Sequence, residues 1–398
     1  MPRETRSMSV RSAIVLAAGE GKRLRPLTRH RPKPMLPAGT KPILEHVFDE
    51  LVAAGIEELT VVVGYGRSAV QSHFGPSYRD VPIEYVVQEH QLGSGHALAV
   101  AASTVEERTL VVNGDQLVDR KIVGDVISTH ETDPDAVATL GVIGHDDLAE
   151  YGGAIVDADG TVSEIVENPT DDRTYRLNAG VYALEAEAVE AMTDVEPTAG
   201  EFSLVDGLEA LVDDRTVRAA ASEGIWIDAT YPWDLLEVAE TLFETGTVTG
   251  SVASSARVHG TATIVEPAVV GPDCVINAGA VVGPNVCLGQ NVTVGSNATV
   301  RRSVVDADSR IGSNATAIDC VTGRGVRIGP GSAVVGGPGD VRVDSTVHRD
   351  ERLGALIADR TRDEGGVTYA PGTIVGAEAT IHAGATVRGS VDSETEVR

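Results

Sequence analysis

Lysine is nearly missing from this chain. Four occur in 398 residues, Lys22, Lys33, Lys41 and Lys121. Cysteine is as scarce: Cys274, Cys287 and Cys320 are an odd number without paired spacing, which excludes a disulfide framework. No apolar run approaches the ~20 residues that a membrane-spanning helix requires. Behind Arg3, Arg6 and Arg11 the apolar stretch 13–18 is too short for the core of a secretory signal. Positive charge is outnumbered, with 32 basic residues against 59 acidic and a net charge of −27. Such a surface repels a phosphate backbone, which excludes a general nucleic-acid binder. What remains is a globular composition, 42% hydrophobic and 23% charged, in a chain too long for one ordinary core. The expectation is a soluble, cytoplasmic protein of two domains.

The acidity is unevenly spread. Residues 1–250 carry 19 basic and 43 acidic side chains, net −24, whereas residues 251–398 carry 13 and 16, net −3. An acidic, lysine-poor surface that keeps arginine as its cation fits a cell interior at high salt, where self-repulsion is screened within ~3 Å at about 1 M. Against that background residues 22–41 hold seven cations, Lys22, Arg23, Arg25, Arg29, Arg31, Lys33 and Lys41, and no acidic residue. The window predicts a site for an anion.

The first half alternates strand and helix. Residues 13–16 form a short apolar run ending in a glycine-rich turn. Residues 42–54 place Ile43, Val47, Leu51 and Ala54 at helical spacing before Gly55. Continuous apolar runs at 59–63, 82–87 and 109–112 suit strands of a buried parallel sheet. Further strands are expected near 136–143, 153–156, 162–166 and 178–184, with a closing helix at 232–244. This rhythm predicts an α/β domain, Rossmann-like and doubly wound, over 12–246 behind a tail at 1–11. Its ligands belong at the carboxyl ends of the strands. His46, His73, His90 and His130 show no metal-ligand spacing and are expected at the surface.

The second half has a period of six. Val258, Ile264, Val270, Ile276, Val282, Leu288, Val294 and Val300 follow one another without interruption. The phase slips near Val305, resumes at Ile311 and Ile328, and returns at Val375, Ile381 and Val387. Six is the hexapeptide repeat of a parallel β-helix, expected here to be left-handed and to span 251–398. Residues 338–370 break the repeat and predict a loop or protruding arm. The ends and flat faces of such a solenoid favour a homo-oligomer, a trimer or a multiple of it.

Chemistry is concentrated after the first strand. Leu16-Ala17-Ala18-Gly19-Glu20-Gly21 offers backbone N–H groups that can cradle phosphate oxygens, although a plain tight turn explains Gly-x-Gly as well. It matches neither the Walker loop nor a full dinucleotide fingerprint. Arg23, Arg25, Arg31 and Lys33 follow, the arginines as planar forks of donors and the lysine as a point charge stiffened by Pro32, Pro34 and Pro37. On residues alone, Asp115 also reads as a turn residue after Asn113-Gly114 and Asp228 as a helix cap.

The stretch LAAGEGKRLRPLTRHRPKPMLP, followed by KPILEH, closely resembles the signature of sugar-1-phosphate nucleotidylyltransferases. The resemblance runs from residue 12 to about 245, and the hexapeptide tail is similar to that of the two-domain members. It implies catalytic roles for Arg23 and Lys33. Leu16, Ala17, Ala18, Gly19, Gly21, Gln88, Gly93, Ser94 and Asp115 are then the nucleotide-binding residues, with Gln88 reading a pyrimidine edge. Gly153, Glu167 and Asn178 resemble the sugar-binding elements, and Asp115 and Asp228 the pair that holds Mg²⁺. The implied partners are a nucleoside triphosphate, UTP or dTTP, and a sugar 1-phosphate, by default glucose 1-phosphate.

Three departures fall on the sugar side. Asn168 stands where many members have lysine, Ala199 where many have arginine, and Thr230 where glycine is usual. Two other readings stay open. One is a bifunctional enzyme whose β-helix acetylates an amino sugar, with His348 as its one plausible base; the other is a non-catalytic sensor of sugar nucleotides.

High salt is expected to support folding, since the first 250 residues repel themselves at low ionic strength. The melting temperature is expected to rise from low salt to ~2 M KCl. A flat or falling melting temperature contradicts the high-salt reading.

Overall fold

The computed structural model describes residues 9–144, 148, 151–194 and 202–398. They divide into two compact units, and the division does not follow the chain in one cut. The first unit holds the chain up to Glu20, Pro32–Met35 and Ile43–Ile227; the second holds Gly21–Arg31, Leu36–Pro42 and Asp228–Arg398.

The first unit is built on one mixed sheet. Its order is Val162–Glu167, Gly152–Val156, Arg176–Glu185, Arg108–Asn113, Ser12–Ala17, Glu58–Val63, Val81–Val87 and Ser77–Tyr78. Arg108–Asn113, Ser12–Ala17, Glu58–Val63 and Val81–Val87 run parallel. Arg176–Glu185 joins them antiparallel and also pairs with Ala138–Ile143. The first half is therefore wound as the rhythm predicts, while the second half pairs antiparallel except where Val217–Ala221 runs parallel to Ala138–Ile143.

Both faces are covered, which is why the central strands are apolar throughout. Successive side chains of Ser12–Ala17 point to opposite faces. Ala13, Val15 and Ala17 pack with Leu44, Val47, Phe48 and Leu51 of helix Ile43–Ala53, whereas Ile14 and Leu16 pack with Leu98, Leu204 and Leu208.

His73 and His90 are exposed as expected, but His46 and His130 are buried. Both sit on helix faces that turn to the sheet, at apolar spacing that a reading keyed to metal ligands ignores. His130 is 2% exposed; its Nδ1 lies 3.0 Å from Thr139 Oγ1. Its Nε2 comes within 3.3 Å of Glu185 Oε1 without hydrogen-bond alignment.

The second unit contains helix Asp234–Glu244 and a parallel β-helix of three sheets with eight, eight and seven strands. The aliphatic residues at the six-residue spacing from Val270 onward line its core; Val258, in the first coil, is 38% exposed because no earlier coil covers it. Register advances by 18 residues from Ser251 to Val269 but by 17 from Val286 to Ser303, which is the phase slip near Val305. The shortened corner presents Arg302, whose guanidinium is held by Glu240 of the helix at 2.8 Å through both Nε and Nη2.

The expected arm at 338–370 is shorter than the sequence suggests. Only a hairpin leaves the coil, Gly339–Val343 with Thr346–Glu351. Coiling resumes at Ala355–Ile357, which pairs with Cys320–Thr322. The repeat is hidden over 362–370 because its inward residues are Asp363 and Tyr369, both buried, instead of aliphatic ones. The pair is self-satisfying: Asp363 accepts from Tyr369 Oη at 2.9 Å, Ser332 Oγ at 2.8 Å and Gly329 N at 2.6 Å.

Burial, with Arg108 close by, pushes the His130 pKa down to about 4. The unfolded chain therefore binds a proton near pH 6.5 that the folded protein refuses, and stability from this group is lost as pH falls from about 6.5 to about 4. The full loss amounts to about 3 kcal/mol. His130→Gln is expected to flatten the stability profile across that window in denaturant titrations. An unchanged slope contradicts the buried neutral imidazole.

Candidate functional site

The four parallel strands end on one edge, and three of them, Ser12–Ala17, Val81–Val87 and Arg108–Asn113, lead into nominated residues. Gly114 N donates to Leu16 O at 2.9 Å, Gln88 N to Val63 O at 2.8 Å and Tyr65 N to Ala18 O at 3.3 Å. These bonds bring Leu16, Ala17, Ala18, Gly19, Gln88 and Asp115 to one edge of the sheet. Lys33 begins the short 3-10 turn Lys33–Met35 and is buried. Its Nζ lies 3.3 Å from Asp115 Oδ2, while the Asp115 side chain stays 37% exposed. A buried cation thus meets a partly exposed strand-end carboxylate at the end of the sheet.

Gln88 is buried at the end of Val81–Val87, its Nε2 donating to Gly93 O at 3.0 Å and lying 2.9 Å from His96 Nδ1. Its amide therefore braces the turn into helix Ser94–Ala101. At Gly93 the backbone has φ +104°, and a Cβ there would meet Phe202 O at 2.2 Å, so only glycine fits. Ser94 Oγ accepts from Leu204 N at 2.9 Å. Phe202 and Ser203 thus press on this turn, a contact no local sequence signal announces.

Gly153 lies between Val166 and Leu177 of the neighbouring strands, which brings Gly153, Glu167 and Asn178 to one end of the sheet. Glu167 Oε1 accepts from Ser203 Oγ at 2.7 Å, and Asn178 Oδ1 from Gly180 N at 3.2 Å. Asn168 has φ +50°, a conformation asparagine tolerates better than the lysine it replaces. Ala199, with Gly200 and Glu201, lies outside the described residues. Asn113 and Gln116 were missed as site residues: their side chains bond at 3.1 Å and fix the turn that carries Asp115.

The remaining nominees belong to the second unit. Gly21 opens the turn Lys22–Leu24 in the left-handed conformation, and its carbonyl accepts the Thr28 hydroxyl at 2.9 Å. The Arg23 guanidinium lies 6.0 Å from the Tyr231 ring centroid. Tyr231 stacks on Trp233 with centroids 4.8 Å apart, and His348 packs against both rings at 4.5 and 5.1 Å. Asp228 does not cap helix Asp234–Glu244. It ends the strand Trp226–Asp228, and its Oδ2 accepts the Thr230 hydroxyl at 2.6 Å. Thr230, one of the departures, therefore orients this carboxylate. Thr230 N and Tyr231 N donate instead to Asp234 Oδ2, at 2.8 and 2.7 Å. Burial pushes the Asp234 carboxyl up to about 7 against the pull of these donors.

The basic window is not uniformly open to an anion. Arg29 is paired with Glu394 at 2.6 Å. Arg31, expected as a phosphate donor, is 3% exposed and paired with Asp306 at 2.5 Å and Asp359 at 3.4 Å. Both acids were invisible as partners because they lie more than 270 residues away, in the β-helix.

Carboxylate oxygens such as those of Asp115 and Asp228 are the donors that Mg²⁺ prefers. Among the described residues no three or more His, Cys, Asp or Glu converge as a cage. That suits an ion held by one or two carboxylates together with substrate phosphates.

Known proteins share this chain's pattern in two blocks. The nucleotidyl transferase family matches residues 12–245, and the GMPPB C-terminal domain matches residues 264–392. A UTP–glucose-1-phosphate uridylyltransferase, AglF of Haloferax volcanii, is 34% identical over 235 residues, 58% of this chain and 96% of that protein. The bifunctional protein GlmU of Methanococcus maripaludis is 32% identical over 263 residues, 65% of this chain but only 61% of GlmU. A UDP-glucose pyrophosphorylase complexed with UDP-glucose shares the fold, with TM-score 0.55 and 21% identity over 59% of this chain and 99% of that one.

A Cβ added at Gly19 meets nothing within 4 Å, so Gly19→Ala is expected to leave the melting temperature unchanged. If Gly19 is there so that backbone can approach phosphates, the same change raises KM for the triphosphate at least about tenfold. An unchanged KM removes Gly19 from the phosphate loop.

Proposed function

Because the chain belongs to the nucleotidyl transferase family, we propose that it joins the nucleotidyl group of a pyrimidine triphosphate to a hexose 1-phosphate and releases pyrophosphate. UTP and glucose 1-phosphate are the leading pair, on the name of the Haloferax volcanii relative; dTTP is the second nucleotide. The observation that carries the reading is the buried Lys33 ammonium 3.3 Å from Asp115 at the carboxyl end of the parallel strands.

An oxygen of the sugar phosphate attacks the α-phosphorus, and the bond from that phosphorus to the β-phosphate's bridging oxygen breaks. The attacking group is already an anion, so no proton has to be removed and catalysis is alignment plus neutralisation of charge. Lys33 steadies the sugar phosphate and the α-phosphate, and Arg23 draws off charge on the departing pyrophosphate. Gln88, Gly93 and Ser94 hold the base; Gly153, Glu167 and Asn178 hold the sugar. Asp115 and Asp228 would hold Mg²⁺, which supplies charge neutralisation at the transferred phosphoryl group when bound. The phosphate nest of Leu16, Ala17, Ala18, Gly19 and Gly21 receives the triphosphate tail.

The same reading places the protein in the cytoplasm of a high-salt cell, as a homo-oligomer assembled through its β-helix. It gives the β-helix no acetyl transfer. His348 lies against Tyr231 and Trp233, and residues 251–398 contain no lysine to hold a sugar phosphate. Incubation with acetyl-CoA and glucosamine 1-phosphate is expected to release no CoA. A non-catalytic sensor has no need of Arg23, Lys33, Asp115 and Asp228 together.

The test is pyrophosphate release across UTP, dTTP, ATP and GTP with a panel of sugar 1-phosphates. Asp115→Ala and Asp228→Ala are each expected to cut turnover about a hundredfold or more. Near-wild-type turnover of either variant at limiting Mg²⁺ refutes the metal assignment.

A further inference from the structure

Arg31 has lost its freedom to touch a substrate, and what holds it is unusual. Its side chain is 4% exposed, with Nη1 2.5 Å from Asp306 Oδ2 and Nη2 3.4 Å from Asp359 Oδ1. The two carboxylates follow the strands Ser303–Val305 and Ala355–Ile357, on either side of Cys320–Thr322 in one sheet of the β-helix. Each is fixed by backbone first. Asp306 Oδ1 accepts from Ala307 N at 2.7 Å, and Asp359 Oδ1 from Arg324 N at 2.9 Å. Between them the intervening coil has Gly323, where a Cβ would lie 2.2 Å from Asp359 Oδ1. The cradle thus sets two acids around the buried Arg31 guanidinium, with the half-exposed Arg324 3.8 Å from Asp306 at its edge.

Such a cluster does little for stability as such. Desolvating three charges offsets most of their attraction, and well-packed apolar groups of similar volume often do as well or better. Here the Nε of Arg31 is also buried without a hydrogen-bond partner, a further cost. Burial draws the guanidinium pKa down, and Asp306 and Asp359 more than reverse it, so Arg31 stays charged. What the arrangement does supply is a fixed position. Arg31 is joined through one residue, Pro32, whose φ is locked, to Lys33. On its other side the same short segment runs back to Arg23.

We propose that Asp306 and Asp359, carried by the β-helix, are positioning residues for nucleotidyl transfer, acting through Arg31 on the segment of the same unit that bears Arg23. The inference rests on the function proposed above. It gives the β-helix a part in placing Arg23, although neither acid touches substrate.

The experiment uses the full chain and the variants Asp306→Asn, Asp359→Asn, the double variant and Arg31→Ala, with Glu394→Gln as an exposed ion-pair control. Pyrophosphate release is measured beside amide hydrogen exchange over residues 22–35 and over the β-helix core. Misplacing catalytic groups by a fraction of an ångström is costly, so kcat is expected to fall at least about tenfold in the double variant. Exchange over 22–35 is expected to quicken while core amides such as Val294 and Ile311 keep their protection, and Glu394→Gln is expected to behave as wild type. Arg31→Lys keeps a tethered cation and is expected to retain more turnover than Arg31→Ala, with KM for the triphosphate unchanged. Wild-type kcat in the double variant overturns the proposal, as does a loss of kcat accompanied by quickened exchange throughout the β-helix. If the wild type turns over no substrate pair, the proposed function fails. The anchoring is then judged by exchange alone, with unchanged protection over 22–35 overturning it.

Discussion

Positive charge that must meet phosphates has to be held in place before they arrive. In a chain of net charge −27 with seven cations gathered in residues 22–41, this constraint organises much of what surrounds the site. Lys33 leans on Asp115, Arg29 on Glu394, and Arg31 is locked between Asp306 and Asp359. The partners differ in what they leave available. Asp115 is itself partly exposed, so the Lys33 pair can open toward a substrate and a metal ion. The Arg31 cluster is closed on all sides, which makes it an anchor and takes it out of the set of phosphate donors. One basic run in the sequence therefore divides into Lys33, proposed to act on substrate, and Arg31, which is closed off from it.

That division explains why only part of the site was legible in the sequence. A strand-end glycine loop, Gln88, Asn113-Gly114-Asp115 and Asn178 are local signals, each tied to the end of a strand that its own apolar run announces. The fate of Arg31 is not local. Its partners are set by the register of coils some 300 residues later, and nothing in the short basic stretch distinguishes Arg31 from Arg23. The turn at Gly93 was legible as a glycine, but its reason, the Phe202 carbonyl, comes from a distant segment. Burial of His46 and His130 was missed because histidine was weighed as a ligand and not as a residue on an apolar helix face.

The β-helix shows the same boundary between what periodicity carries and what packing decides. Eight aliphatic residues spaced by six fix the architecture, the signature of a β-helix coil. The repeat fades at 362–370, yet the coil continues because Asp363 and Tyr369 satisfy each other inside it. Apolar periodicity is a sufficient sign of a coil and not a necessary one. The shortened corner at Arg302 and the Gly339–Glu351 hairpin then give the solenoid distinct places along its length. One holds helix Asp234–Glu244 through Arg302 and Glu240, and another sets His348 against Tyr231 and Trp233.

The central claim is that the α-phosphorus of the triphosphate passes to the sugar phosphate while the two outer phosphates leave together. Following radiolabel from UTP in the presence of glucose 1-phosphate and Mg²⁺ tests it most directly. The account predicts that label at the α-position ends in the sugar nucleotide and label at the γ-position ends in pyrophosphate. Release of α-label in any other product, or of γ-label as inorganic phosphate, contradicts it.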